Sequence, residues 1–126
     1  VGRGFAVIRT ADSTLELILH DGRTECRWAA DPGLLRPGRQ HHAVAIVDGG
    51  PKLILWVIDG HLCDGGDVRQ FGWGRYNPHW RGPSGAPEIH VAAAGVTRTA
   101  LYGRALRVSE AIARYWHHSS SEQRRV

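Results

Sequence analysis

Methionine is absent from these 126 residues, lysine occurs once, at Lys52, and cysteine occurs twice. No run of roughly 18 apolar residues exists, so no membrane-spanning helix is expected. No basic flank precedes an apolar stretch near the start, so no signal segment is read in the chain itself. A chain that opens on Val1 and contains no methionine is expected to be a processed chain or an excised piece, from which any original targeting segment would be lost. The two cysteines, Cys26 and Cys63, form no C-x-x-C pair, which argues against zinc. Each falls in an apparent strand, where the ordinary role is a small buried hydrophobe. A Cys26–Cys63 disulfide is the alternative if the protein is secreted.

Arginine supplies 15 of the 16 basic residues, and the net charge is +4. The arginines are scattered, apart from Arg124-Arg125. A nucleic-acid surface needs a clustered basic stripe, so nucleic-acid binding is not expected. Dispersed guanidinium groups suit an anionic polysaccharide better. Apolar residues make up 42% and charged residues 22%, as in an ordinary globular domain. The length fits one domain with a core of its own.

Short apolar segments alternate with Gly, Pro and Asp. Phe5-Ala6-Val7-Ile8 reads as a first strand, and Leu15, Leu17 and Leu19 recur with period two. Asp21-Gly22 is a turn signal, followed by alternation through Cys26 and Trp28. His42–Val47 and Leu53–Ile58 flank Asp48-Gly49-Gly50-Pro51 and predict a hairpin. Leu53–Ile58 is apolar at six consecutive positions. A strand with one wet face would alternate, so this one is expected to be covered on both faces. Further strands are expected at Glu88–Val91 and within Thr97–Leu106, and the expected core includes Leu55, Trp56, Val57 and Leu101. Only the end reads as helix: Ser109 suits an N-cap, Glu110 suits the first turn, and Ile112 and Trp116 lie four apart. The expected helix covers 109–117, with a polar tail over 119–126. Together these features predict an all-β antiparallel β-sandwich with one short C-terminal helix, forming a single domain over 1–118.

Three segments resemble a known family. Gly38-Arg39-Gln40-His41-His42-Ala43-Val44-Ala45 resembles the G-x-W-H-H-V-A strand of laminin-G-like domains, with Gln40 in place of Trp. Leu55-Trp56-Val57-Ile58-Asp59-Gly60 resembles their L-Y-V-D-G hairpin. Leu101–Leu106 with Ser109–Ile112 resembles their closing strand and helix, although Arg98 and Thr99 depart from its usual acid and aliphatic. The resemblance covers residues 38–116 and implies a jelly roll of the concanavalin A-like kind. Such modules accompany bacterial glycoside hydrolases, which implies an extracellular, carbohydrate-binding accessory module. The family's opening strands find no counterpart before Val1. The resemblance therefore implies a sandwich whose opening strands are missing, short or supplied by another segment, and an adjacent catalytic domain is a further expected partner.

The loop Gly72–Arg81 is the candidate ligand site. A sugar offers an apolar ring face for stacking and a rim of hydroxyls for hydrogen bonds. Trp73, Arg75, Tyr76, Asn77, His79 and Trp80 supply both within ten residues. The competing reading has Trp73 and Trp80 plugging one end of the sandwich, with Arg75 as a packing residue. Asp59, Asp64 and Asp67 surround a Gly-rich turn and are candidate calcium ligands, calcium being common at the rim of such sandwiches. Against that, their spacing matches no tight calcium loop, and Asp59-Gly60 also reads as a plain hairpin turn. His41-His42 point to opposite faces of a strand and cannot chelate together. Jelly-roll glucanases carry an E-x-D-x-E strand that sets two carboxylates about 5–5.5 Å apart, and no such strand occurs here. The expected function is thus binding without catalysis. The rival readings are a structural or protein-interaction domain packing on a catalytic domain, and a small jelly-roll enzyme.

Overall fold

The computed structural model describes residues 4–76, 99–102 and 104–124. The strand candidates at Glu88–Val91 and at 97–98, with the loop beyond Tyr76, lie outside the described residues.

Three strands form a meander: β1 (Gly4–Arg9), β2 (Leu15–His20) and β3 (Glu25–Ala29). Residues directly opposite each other share a face. Phe5, Val7 and Arg9 thus lie on the face of Leu19, Leu17 and Leu15, joined across β2 by Cys26 and Trp28. The β2–β3 turn is closed by Asp21, whose carboxylate accepts the N–H groups of Arg23 (2.8 Å) and Thr24 (2.7 Å).

The second sheet is built on β5 (Leu53–Ile58). β4 (Ala43–Asp48) pairs with it along its whole length. On its other edge sit two short strands, β6 (His61–Leu62) at the Ile58 end and β7 (Gly74–Arg75) at the Leu53 end. The β5–β6 turn is Asp59-Gly60, with φ of 50° and 77°. Two positive φ values are what a two-residue type I′ hairpin demands.

The sheets face each other as a β-sandwich. Leu17, Leu19 and Cys26 of the first pack with Ile54, Trp56 and Ile58 of the second, joined by Cys63 and Tyr76. The opposite face of β5 is also covered. Val57 and Ile46 are buried against Ala111, with Leu55, Val44, Val108 and Ile112 around them. Helix α1 (Val108–Arg124) supplies that cover. The unbroken apolar run of β5 therefore has a layer on each side, as its sequence requires.

Several expectations are corrected. No strand is present among the described residues of 99–107. Leu101 is 65% exposed, because Leu106 and Ala105 are the residues that anchor this approach to the helix. Ser109 lies inside the helix instead of capping it. Glu110 does the capping, its carboxylate accepting the Arg107 N–H at 3.0 Å. The helix continues to Arg124, through most of the stretch read as a tail. Ile112 packs inward but Trp116 is exposed, since Tyr115, three positions on, takes the inward place beside Gly60. Cys26 and Cys63 are both free and buried, each a hydrophobe of the same core. No helix among the described residues is long and apolar enough to cross a membrane.

Candidate functional site

Residues 71–76 run beside β5 with a strict in–out alternation. Gly72, Gly74 and Tyr76 are buried, while Phe71 and Arg75 are exposed and Trp73 is half-buried on their side. The inward positions explain the glycines. A Cβ on Gly72 would run into the backbone carbonyl of Cys63, and one on Gly74 would overlap the Trp28 ring. Trp28 also donates its indole N–H to the carbonyl of Gly72 at 3.0 Å. The segment is thus pressed onto β3 at a distance only glycine permits.

A second clamp holds the chain leading into it. The Asp31 carboxylate accepts the N–H groups of Asp64 (3.2 Å) and Gly65 (3.0 Å) and pairs with Arg69 at 3.3 Å. Arg69 donates to the Ala29 carbonyl at 2.9 Å and lies 4.2 Å from the centroid of the Trp28 ring. An Arg in such a position gains from the ring quadrupole as well as from its hydrogen bonds.

On the outward side, Phe71 and Trp73 stack with centroids 4.9 Å apart and planes 23° from parallel. Phe71 is 47% exposed. The guanidinium of Arg75 stands 5.9 Å from the Trp73 ring and is itself exposed. The result is an aromatic ledge with a planar cation beside it, fixed to the sandwich by the inward glycines.

The sequence-based site is only partly assembled. Trp73 and Arg75 stand together at the surface. Tyr76 does not join them: it is 6% exposed, belongs to the core, and donates its hydroxyl to the Asp48 carbonyl at 3.3 Å. Burial pushes its phenol pKa up. Asn77, His79 and Trp80 lie outside the described residues. Phe71 was missed, although the alternation Phe71-Gly72-Trp73-Gly74-Arg75 marks it as the partner of Trp73 on one face of an extended segment.

The three aspartates are not gathered around a common point. Among the described residues no three His, Cys, Asp or Glu side chains stand together as metal ligands would. Asp59 accepts the His42 N–H at 2.8 Å and contacts His41 Nδ1 at 2.7 Å. Arg36 donates its backbone N–H to His41 Nε2 at 3.0 Å, so Nε2 is an acceptor and Nδ1 carries the proton given to Asp59. Asp59 is therefore a structural acceptor that ties the β5–β6 turn to the start of β4. Asp64 turns its carboxylate back to the Gly66 N–H at 2.9 Å, and Asp67 is exposed.

The fold defines the chain as an antiparallel β-sandwich carrying a surface aromatic ledge. Comparisons with protein-family models, with curated proteins and with solved structures return no match.

Proposed function

We propose that this chain is a carbohydrate-binding module of the laminin-G-like, concanavalin A-like jelly-roll kind, belonging to an extracellular bacterial protein such as a glycoside hydrolase. The observation that carries the reading is the stacked, outward Phe71–Trp73 pair with Arg75 beside it. Aromatic side chains give contact area at small entropic cost, because few torsions must freeze. The Arg75 fork adds directional donors and favours a ligand bearing a carboxylate or sulfate. The Asp31–Arg69 clamp and the Trp28–Gly72 hydrogen bond hold the ledge before any ligand arrives, which lowers the cost of binding.

A glycan array identifies the best ligand, and titration calorimetry then compares wild type with Phe71→Ala and Trp73→Ala. Both substitutions are expected to weaken binding at least about tenfold, a loss of roughly 1.4 kcal/mol. Binding of an acidic glycan is expected to weaken with salt, since exposed charges are screened over about 8 Å at physiological ionic strength. Equal affinity in both variants, or no binding to any glycan, would leave the ledge structural and favour a domain that packs on a catalytic partner.

A further inference from the structure

His41 stands just ahead of β4 with both ring nitrogens engaged. Nδ1 gives its proton to the Asp59 carboxylate at 2.7 Å, and Nε2 accepts the Arg36 backbone N–H at 3.0 Å. The side chain is 14% exposed. A second proton affects the two contacts differently. Nδ1 carries a proton in both states of the ring, so its bond to Asp59 survives and becomes charge-assisted on both sides. Nε2 loses its lone pair and turns into a donor aimed at another donor, so the Arg36 bond cannot persist. Protonation therefore breaks one contact and keeps the other.

The chain around Arg36 is arranged to respond to that change. On one side Gly33 and Leu35 donate their N–H groups to the Asp12 and Ser13 carbonyls, each at 2.8 Å. On the other side the His42 N–H donates to the Asp59 carboxylate at 2.8 Å, and the His42 carbonyl accepts the Asp59 N–H at 2.7 Å. None of these anchors uses an imidazole. Residues 36–40, between them, are exposed. This lobe turns at Gly38, with φ of 75°, and is closed by the Arg36 N–H on the His41 ring and by a 3.3 Å bond from the Arg39 N–H to the Arg36 carbonyl.

We propose that His41 is a pH-sensitive latch on the β3–β4 loop. Neutral, the ring holds the lobe 36–40 closed; protonated, it stays on Asp59 and releases Arg36. An imidazole changes its charge between about pH 8 and 5. The other titratable or charged groups at this corner, among the described residues, are few. Asp59 belongs to the β5–β6 turn, and Asp12, exposed, to the β1–β2 turn. Arg36 and Arg39 are the exposed cations of the lobe itself. The His42 ring lies 5.9 Å from that of Tyr115 of α1, and His61 is exposed on β6. Acid thus frees a short lobe carrying two arginines while the sandwich beneath keeps its anchors.

NMR of the 15N-labelled full chain from pH 8 to 5 tests this. At pH 8 the ring nitrogens of His41 are expected to show the Nδ1–H form, and the Arg36 amide is expected to exchange more slowly than in an unstructured chain at the same pH. Across the His41 titration that protection should fall about three- to tenfold, the loss of one hydrogen bond. The Leu35 and His42 amides should keep theirs. In His41→Gln, with its fold checked by circular dichroism, the protection of Arg36 should not vary with pH. Constant Arg36 protection while His41 titrates overturns the proposal, as does a His41 ring whose Nε2 stays unprotonated to pH 5. An equal loss at Leu35 overturns it too, since the whole loop then loosens. So does a change at Arg36 that follows the His42 or His61 titration in the wild type, or that persists in His41→Gln.

Discussion

The indole N–H of Trp56 donates to the backbone carbonyl of Trp28 at 2.9 Å, so the central strand of one sheet is bonded to the edge strand of the other through the middle of the core. Trp56 is 1% exposed. A buried indole donor needs such a partner, and a β3 carbonyl facing the core needs a donor in turn. One hydrogen bond therefore answers two requirements and fixes how the sheets are set against each other.

Replacement of Trp56 separates these contributions. Trp56→Ala removes the side chain and the bond together and is expected to cost about 3–5 kcal/mol. Trp56→Phe keeps most of the ring but orphans the Trp28 carbonyl, at an expected cost of about 1–3 kcal/mol. Urea midpoints at constant m-value give both numbers, and a Phe variant as stable as wild type would show that the carbonyl has found water.

The glycines beneath the ledge are expected to be intolerant. Gly72→Ala drives a methyl group into the Cys63 carbonyl, a backbone atom that cannot swing aside. An expected loss of about 1–3 kcal/mol or more follows from forced displacement of the segment. Gly74→Ala meets the Trp28 ring and should quench or shift the tryptophan emission as that ring is displaced. A wild-type midpoint for Gly72→Ala would mean that the segment does not lie against Cys63, and one for Gly74→Ala that it does not lie against the Trp28 ring of β3.

How far these features could be read from the chain depends on their range. β2, β4 and β5 were legible because alternation and turn residues are local, and the double cover of β5 followed from its six apolar positions. The role of α1 as that second cover was not legible, since the pairing of Val57 with Ala111 spans distant parts of the chain. Tyr76 was misplaced for a related reason. Its neighbours Trp73 and Arg75 mark a surface, but its own parity with Gly72 and Gly74 puts it inside. Asp59 reads as a cation ligand by composition, and only the approach of His41 and His42 shows that its carboxylate is already engaged. The sandwich was therefore visible in period and punctuation, whereas site geometry depended on contacts between segments.

Lys52 offers a stabilising change. It closes the β4–β5 loop with φ of 62°, a left-handed conformation that costs a residue with a Cβ about 1–2 kcal/mol. Lys52→Gly removes that strain but gives back some chain entropy and the weak contact of the ammonium with the Tyr76 ring at 5.8 Å. The expected net gain is about 0.5–1 kcal/mol, read as a higher urea midpoint. A lower midpoint would show that the ammonium contact outweighs the backbone strain.

Acid should act on the start of the helix through Glu110. Its carboxylate takes a two-pronged bond from Arg104, at 3.0 and 2.7 Å, and accepts the Arg107 N–H, which together lower its pKa from 4.5 to about 2. A carboxyl group whose pKa falls on folding stabilises the protein only while ionised. That contribution is complete above about 4.5, is lost progressively as pH falls toward 2, and is absent below both values. Because the site is open to solvent, salt should weaken it, and its size is expected to be modest. Glu110→Gln should lower stability at pH 7 while flattening the dependence on pH between about 5 and 2, whereas Arg104→Ala should leave part of it, since the Arg107 N–H still favours the ionised form. Urea midpoints measured across that range for the three proteins test the assignment. A Gln variant with the same acid slope as wild type would place the titrating group elsewhere.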